Sequence, residues 1–218
     1  YAYLPSGYII SSDRSTGLYI LKSPLLPNFS MEWSDCTDIV GDNLTCYGDI
    51  YQEESEVMQE IINLNTELTV LNIEDISSFS AGRVISIDLS SRSLTSLALP
   101  YNFGNLSSLS YLQLQNNNLS SISDSIVNAG SLLELDLSNN QLTSIPDDIG
   151  ILTNLEILKL NNNKMLSLPS TLCDLPDDCF IDATGNRLCP DFIEPVENCI
   201  TTISYQNCDE CESGYWFE

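Results

Sequence analysis

The sequence lacks histidine altogether and has 7 basic residues against 31 acidic ones among its 218, a formal net charge of −24. Nucleic acids and anionic membrane surfaces are disfavoured as partners, because binding phosphate requires a basic face that displaces counterions. Catalysis is disfavoured too, since acid–base chemistry most often uses histidine and no G-x-S-x-G elbow or phosphate-binding glycine loop occurs. No run of about 18 apolar residues is present, so the sequence predicts no membrane insertion.

Cysteine is absent from the middle of the chain, between Cys46 and Cys173. This distribution favours disulfide bonds that close the ends of a structure whose middle is stable without them, in an oxidising compartment. The expected disulfide cysteines are Cys36, Cys46, Cys173, Cys179, Cys189, Cys199, Cys208 and Cys211. Zinc is the alternative for Cys208 and Cys211, but the chain offers no histidine and no second pair of that spacing. We therefore expect neither a metal nor a cofactor.

Four N-x-S/T sequons mark candidate N-glycosylation sites at Asn28, Asn43, Asn105 and Asn118. Together with the cysteines they predict a secreted or cell-surface glycoprotein. The sequence opens at Tyr1 without a charged-then-apolar leader, so we expect a mature or processed part of a longer protein.

The centre of the chain is organised by a repeat. Three segments superimpose without gaps and begin 23 residues apart: LSYLQLQNNNL at Leu109, LLELDLSNNQL at Leu132 and LEILKLNNNKM at Leu155. Degraded copies begin at Val84 and at Asp178. The fourth and sixth positions of each copy are apolar, and residues two apart share one face of a strand, so these side chains are predicted to point inward.

This pattern resembles the leucine-rich repeat, L-x-x-L-x-L-x-x-N-x-L, in the form found in extracellular proteins of plants, algae and protists. The resemblance implies an α/β solenoid: a short right-handed superhelix with a parallel β-sheet on its concave side. It also implies that the Asn of each copy bonds backbone groups of the neighbouring coil, at Asn117, Asn140, Asn163 and Asn186. Proline after Ile145 and after Leu168 should limit the convex segments to about one turn of helix.

We expect four regions: a β-rich extension (1–30), an N-terminal cap (31–83), the repeats (84–190) and a C-terminal cap (191–218). The N-terminal cap is predicted to hold a helix with apolar positions at 57, 58, 61, 62 and 64 and with Glu residues in its first turn, followed by a strand over 68–73. Similarity to the caps of extracellular leucine-rich-repeat proteins implies the pairs Cys36–Cys46 and Cys189–Cys199. The segment 208–215 looks like the start of an EGF-like or cysteine-rich module, which would continue past Glu218.

Aromatic and β-branched runs in the extension predict two short strands. Disordered tails are poor in such residues, so these side chains must be buried somewhere. They either pack against the chain's own cap or add strands to a neighbouring copy or another chain. The candidate assembly residues are Tyr8, Ile9, Ile10, Leu18, Tyr19, Ile20 and Leu21.

The residues between the inward leucines are predicted to point out of the concave face, in two rows. The third-position row is Ser86, Tyr111, Glu134, Ile157 and Phe180; the fifth-position row is Asp88, Gln113, Asp136, Lys159 and Asp182. Exposed apolar residues in such a face are typical of interface centres. The candidate binding residues are Tyr111, Gln113, Glu134, Asp136, Ile157, Lys159 and Phe180. Polar positions beside them, Asn116, Asn139 and Asn162 included, could hydrogen-bond a peptide or glycan.

These patterns predict a non-enzymatic extracellular module for protein interaction or assembly, which binds through the concave face, the N-terminal strands or both. Its partners would be proteins, including further copies of itself. The alternatives are the ligand-sensing ectodomain of a membrane receptor and an accessory domain of a wall-associated hydrolase. The acidic residues Asp174, Asp177 and Asp178 lack the spacing of a calcium loop and are interpreted as solvated charge.

Overall fold

The computed structural model describes residues 2–3, 9–13, 17–21, 46–47, 50–188 and 196–203, with side chains over 53–188, at 196 and over 198–203. Strands β1 (Ala2–Tyr3), β2 (Ile9–Asp13) and β3 (Gly17–Leu21) form an antiparallel sheet in that order. Strand β4 (Cys46–Tyr47) pairs antiparallel with β5 (Ile50–Tyr51). The two strands predicted in the extension are thus β2 and β3, which pair with each other.

Helix α1 (Gln52–Leu64) has the predicted acidic residues, Glu53 and Glu54, in its first turn, where the helix dipole favours them. Its apolar face, Val57, Met58, Ile61 and Ile62, is buried at helical spacing.

The predicted strand over 68–73 is wrong: this stretch holds two 3-10 turns, Thr66–Leu68 and Ile73–Asp75. A capping box explains the second turn, since the Asp75 carboxylate accepts a hydrogen bond from the Asn72 backbone N–H at 2.8 Å. Asn and Asp at these positions favour turns over strands.

A six-stranded sheet lines the concave side, in the order β11-β10-β9-β8-β7-β6. Strands β7 to β11 are parallel, while β6 pairs antiparallel with β7. The tight turn between them has positive φ at both Ala81 and Gly82, as a type I′ hairpin requires. The bounds are β6 (Ser77–Ser80), β7 (Arg83–Asp88), β8 (Tyr111–Gln113), β9 (Glu134–Asp136), β10 (Ile157–Lys159) and β11 (Phe180–Asp182).

One continuous hydrophobic core runs along the solenoid from α1 to Val196. The fourth- and sixth-position leucines of the three clean copies are fully buried, and each contributes roughly 1.5–3 kcal/mol. Each copy contacts the copies before and after it, so the core grows with the number of repeats. These leucines are Leu112, Leu114, Leu135, Leu137, Leu158 and Leu160.

The convex side consists of single 3-10 turns, as the prolines predict: Phe103–Asn105, Asp124–Asn128, Ile149–Ile151 and Ser170–Asp174. Consecutive turns stack closely. A Cβ on Gly104 would lie 2.6 Å from the Asn128 carbonyl oxygen, and one on Gly150 would meet the Thr171 carbonyl. Glycine at these two positions is therefore a packing requirement.

The C-terminal disulfide joins Cys173 to Cys199, with the Cα atoms 5.2 Å apart, so the predicted Cys189–Cys199 pair is wrong. The physical reason lies in the path of the last segment. Thr201 and Thr202 donate backbone hydrogen bonds to the Ile181 carbonyl, and this pairing beside β11 brings the preceding Cys199 to the last convex turn. Two distant segments are thereby joined across the end of the core.

Cys179, predicted to form a disulfide, instead has a free and buried thiol. Burial and then the nearby Asp178 carboxylate raise the pKa of Cys179 to about 11, so the thiol is not a ready nucleophile. Cys36, Cys189, Cys208 and Cys211 lie outside the described residues, as does the side chain of Cys46. The predicted Cys36–Cys46 pair and the module at 208–215 therefore lie outside them too.

Candidate binding face of the solenoid

The register of the parallel strands aligns both predicted rows across the concave face. Ser86, Tyr111, Glu134, Ile157 and Phe180 are successive partners in the third-position row. Asp88, Gln113, Asp136, Lys159 and Asp182 are successive partners in the fifth-position row. Neighbouring strands lie about 4.8 Å apart, so each row places one side chain at that interval. The predicted exposure is wrong for Asp136, which is buried at 7% because Ser138 and Lys159 bind its carboxylate.

The third-position row exposes apolar surface. Tyr111 is 41% exposed and Phe180 is 39% exposed, and Ile157 between them is partly exposed. Core formation does not require these side chains, because the inward leucines already fill the coil. The row is therefore an apolar contact surface interrupted by Glu134.

Lys159, the single cation of the two rows, is engaged by two carboxylates. Its Nζ lies 2.6 Å from Glu134 Oε1 and 3.4 Å from Asp136 Oδ2. The hydrogen bond to Glu134 is the main cause that raises the pKa of Lys159, so this ammonium stays protonated and paired.

Aspartates of the fifth-position row also have a local structural role, which the sequence analysis missed. Asp88 Oδ1 accepts a hydrogen bond at 2.9 Å from the backbone N–H two residues later, and the Oδ1 atoms of Asp136 and Asp182 do the same at 3.0 Å. Such Asx turns redirect the chain as it leaves the strand. The signal was present as Asp-x-Ser/Thr in three copies.

The Asn ladder forms as the resemblance implies. Asn117, Asn140, Asn163 and Asn186 are all more than nine-tenths buried. Asn163 shows the common pattern: its Oδ1 accepts from Leu142 N–H at 2.9 Å, and its Nδ2 donates to the carbonyls of Leu137 and Leu160 at 3.0 and 2.9 Å. Each Asn thus bonds its own coil and the preceding one.

Backbone conformation explains the type of residue that precedes each ladder Asn. Asn116, Asn139, Asn162 and Gly185 have positive φ values of 60°, 54°, 57° and 68°, a region that Asn and Gly tolerate best. Asn162 also donates to the Asn139 side chain at 3.0 Å. Conformation, without any ligand, accounts for the residue types at these positions.

Two sequons lie in the described part of the chain. Asn105 is exposed at the end of a convex turn, and Asn118 is exposed just after the ladder Asn. Asn118 Oδ1 accepts a 3.4 Å hydrogen bond from Gln141. Asn28 and Asn43 lie outside the described residues.

The assembly candidates are placed only by their backbone. Ile9 and Ile10 lie in β2 and 18–21 in β3, while Tyr8 lies outside the described residues.

Two buried polar side chains at the front of the solenoid escaped the sequence analysis. Glu54 in α1 is fully buried, and its carboxylate accepts from Arg83 Nη1 at 2.9 Å and from Val84 N–H at 2.6 Å. Asn65 pairs with both backbone groups of Ala98, donating at 2.9 Å and accepting at 2.8 Å. Neither residue belongs to a repeated pattern that could have shown its role.

The fold, the ladder and the aligned face define the class of structure: the repeats of this chain form a leucine-rich-repeat solenoid. Residues 82–142 match the family model described as leucine rich repeat. A domain of this class is a protein-interaction module. No curated protein matches the chain. Within the described ranges, no helix has the length and apolar character needed to cross a bilayer.

Solved structures of leucine-rich-repeat proteins are similar to this chain. The crystal structure of PEPR1-AtPEP1 is 25% identical over 70% of this chain and 24% of that one, with a TM-score of 0.53. A Leptospira interrogans LRR protein is 28% identical over 50% and 28%, at 0.45. The BIR3 - SERK2 complex from Arabidopsis thaliana is 23% identical over 62% and 94%, at 0.39. The chain spans about a quarter of the length of the first two.

Proposed function

We propose that this chain is a non-enzymatic extracellular recognition module that binds a protein partner on the concave face of its solenoid. The observation that carries the proposal is the third-position row, in which Tyr111, Ile157 and Phe180 align across β8, β10 and β11 and keep apolar surface exposed. Aromatic residues in a rigid, solvent-facing row are typical interface anchors. The similarity to the solved structure of PEPR1-AtPEP1 supports a role in which the solenoid holds such a row of residues in place for a partner.

The extracellular location is supported by one disulfide bond and two exposed sequons. The Cys173–Cys199 bond closes the last coil, and such bonds persist in oxidising compartments. Asn105 and Asn118 are exposed within sequons, where an attached glycan would not disturb the core. Both features fit a secreted or cell-surface protein.

A non-enzymatic role is supported by the state of the reactive groups that the structure describes. Lys159 is protonated and paired with carboxylates, so it is a poor base or nucleophile. The Cys179 thiol is buried and its pKa is raised, which opposes thiolate chemistry. With no histidine in the chain, binding is the better supported role.

The test compares two double variants of the full chain as baits for proteins from the medium of the source cells. Tyr111→Ser/Phe180→Ser removes the exposed anchors of the concave face. Val70→Ser/Tyr101→Ser is the matched control, since both residues are 86% exposed and lie outside the two rows. A partner identified by mass spectrometry should bind the parent and the control alike, and bind the concave variant at least tenfold more weakly, about 1.4 kcal/mol.

Equal binding of that partner by all three proteins would contradict the proposal. Circular dichroism and urea unfolding of each variant establish that the fold is retained, so that a loss of binding reports on the surface.

The N-terminal sheet supplies a second candidate surface for self-assembly. Strands β1, β2 and β3 pair only in the order β1-β2-β3, so β1 and β3 are the edges of that small sheet, and edge strands are association sites unless covered. Deleting residues 1–26 should convert an assembled protein into a monomer with unchanged unfolding of the repeats. Light scattering checks this, and an intact chain that is monomeric at high concentration contradicts it.

A further inference from the structure

We propose that the occupant of the concave face is an extended cationic peptide segment in which apolar and basic side chains alternate. The inference rests on the proposed function, because it names the class of partner for the same face. It follows from the charges of the two rows, their spacing and the hydrogen-bonding groups left over.

The charges of the two rows favour a cationic partner. Four carboxylates, Asp88, Glu134, Asp136 and Asp182, face one ammonium, Lys159. That ammonium is already held by Glu134 and Asp136 at 2.6 and 3.4 Å, so it has little to offer an incoming carboxylate. An acidic segment would meet this face and the −24 charge of the whole chain without compensation.

The carboxylates at the two ends of the fifth-position row keep free acceptor capacity. In both Asp88 and Asp182, Oδ1 accepts the local Asx-turn hydrogen bond. No cation among the described residues forms an ion pair with either carboxylate within 4.0 Å. Lysine or arginine would donate to the remaining oxygen of each.

The spacing of the rows fits an extended chain that crosses the strands. Tyr111 and Phe180 are three strands apart, about 14 Å, and Asp88 and Asp182 are four strands apart, about 19 Å. An extended segment of about six residues covers the longer distance. Because its side chains alternate in direction, one set reaches the apolar third-position row and the other the acidic fifth-position row.

The experiment uses the full chain and three synthetic peptides of about nine residues, long enough to cross the whole face. They alternate leucine with lysine, with serine or with glutamate, and binding is measured by isothermal titration calorimetry at low and high salt. We expect the leucine–lysine peptide to bind about tenfold more tightly than the leucine–serine peptide, with a difference that falls with salt. The leucine–glutamate peptide should bind most weakly.

Three variants locate the effect on the face. Asp88→Asn/Asp182→Asn keeps the Asx-turn acceptors but removes two charges, and should weaken leucine–lysine binding about tenfold. Lys159→Met frees the Glu134 carboxylate and removes one positive charge from the face, and should tighten the same binding about threefold, a gain that damage to the fold does not produce. Asp147→Asn/Asp148→Asn, before the convex turn at Ile149–Ile151, is the matched control and should change it less than about twofold.

Each remaining outcome overturns the inference in a distinguishable way. Equal binding of the lysine and serine peptides would leave the concave face as a binding site and remove its preference for cations. Equal loss in the two aspartate variants would show diffuse attraction to an acidic chain. Absence of binding by all three peptides would remove the extended-peptide occupant, while the capture experiment with the Tyr111/Phe180 variant decides the proposed function separately.

Discussion

The repeats and the front of the solenoid satisfy buried backbone groups with different kinds of side chain. In the repeats, an amide at a fixed position bonds its own coil and the coil before it, as Asn163 does for Leu137, Leu142 and Leu160. At the front, the Glu54 carboxylate of α1 accepts hydrogen bonds from the Val84 N–H and the Arg83 guanidinium, both in β7. The ladder gains or loses one Asn with each repeat, whereas Glu54 and Asn65 at the front each occur once.

Removing a ladder amide should have the largest effect on stability. Asn163→Ala leaves the buried Leu142 N–H without its partner. It also removes one of the two amide donors from each of the Leu137 and Leu160 carbonyls, which keep only Asn140 and Asn186. We expect the free energy of unfolding to fall by about 4 kcal/mol. Urea unfolding measures the change. Asn162→Gly is the matched control, because the exposed neighbour already has a positive φ that glycine adopts freely, and it should cost less than about 1 kcal/mol. Equal losses would show that the ladder is not the main tie between coils.

The second largest loss of stability should follow removal of the disulfide that closes the last coil. Replacing Cys173 and Cys199 by serine opens a loop with a sequence separation of 26, and the free energy of unfolding should fall by about 3 kcal/mol. Equal stability of the parent and the double-serine variant under non-reducing conditions would refute the Cys173–Cys199 pairing.

Removing only the charge of Glu54 at the front of the solenoid should cost less stability than either change above. Glu54→Gln keeps the volume and one acceptor oxygen but loses the ion pair with Arg83, and should lower the free energy of unfolding by about 2 kcal/mol. Amide hydrogen exchange should speed up at Val84 before it does in β9 or β10. Glu53→Gln, exposed in the same helical turn, provides the comparison; identical exchange in both variants would argue against a cap role for Glu54.

The smallest effect on stability should come from Cys179, in the degraded last copy of the repeat. Burial raises the pKa of Cys179 from 9.0 to about 11, so the folded state holds this proton more tightly than the unfolded state. The resulting stability is fully present below pH 9 and is lost as pH rises toward about 11. Native protein at pH 8 should resist iodoacetamide at this residue, and Cys179→Ala should remove part of the alkaline decline. Rapid native-state alkylation would contradict burial of the thiol.

The same contrast explains what could be predicted from the sequence. The strands, the inward leucines and the ladder repeat at a fixed interval, so three clean copies were enough to place Asn117, Asn140 and Asn163. The Glu54–Val84 and Cys173–Cys199 pairs each occur once and join distant segments, and no local pattern marks them. The strand predicted over 68–73 was wrong because the prediction followed the apolar spacing of that stretch and missed the capping signal of Asn72 and Asp75.

The binding face was predicted in part. Register followed from the repeat, so the alignment of Tyr111, Ile157 and Phe180 was readable from the sequence. The engagement of Lys159 by Glu134 and Asp136 was not, because it depends on side-chain conformations across neighbouring strands.

The closely stacked convex turns determine the curvature of the solenoid. Packed α-helices lie about 8–10 Å apart, roughly twice the spacing of β-strands, and a helix on the outside of every coil would bend the structure into a tight arc. Here the convex side consists of 3-10 turns, and the glycines at 104 and 150 leave no room for a side chain between neighbouring turns. Because nothing as wide as a helix separates the outer sides of these coils, we expect the solenoid to bend less than one with a helix in every coil, and its concave side to suit a long, thin partner better than a round one.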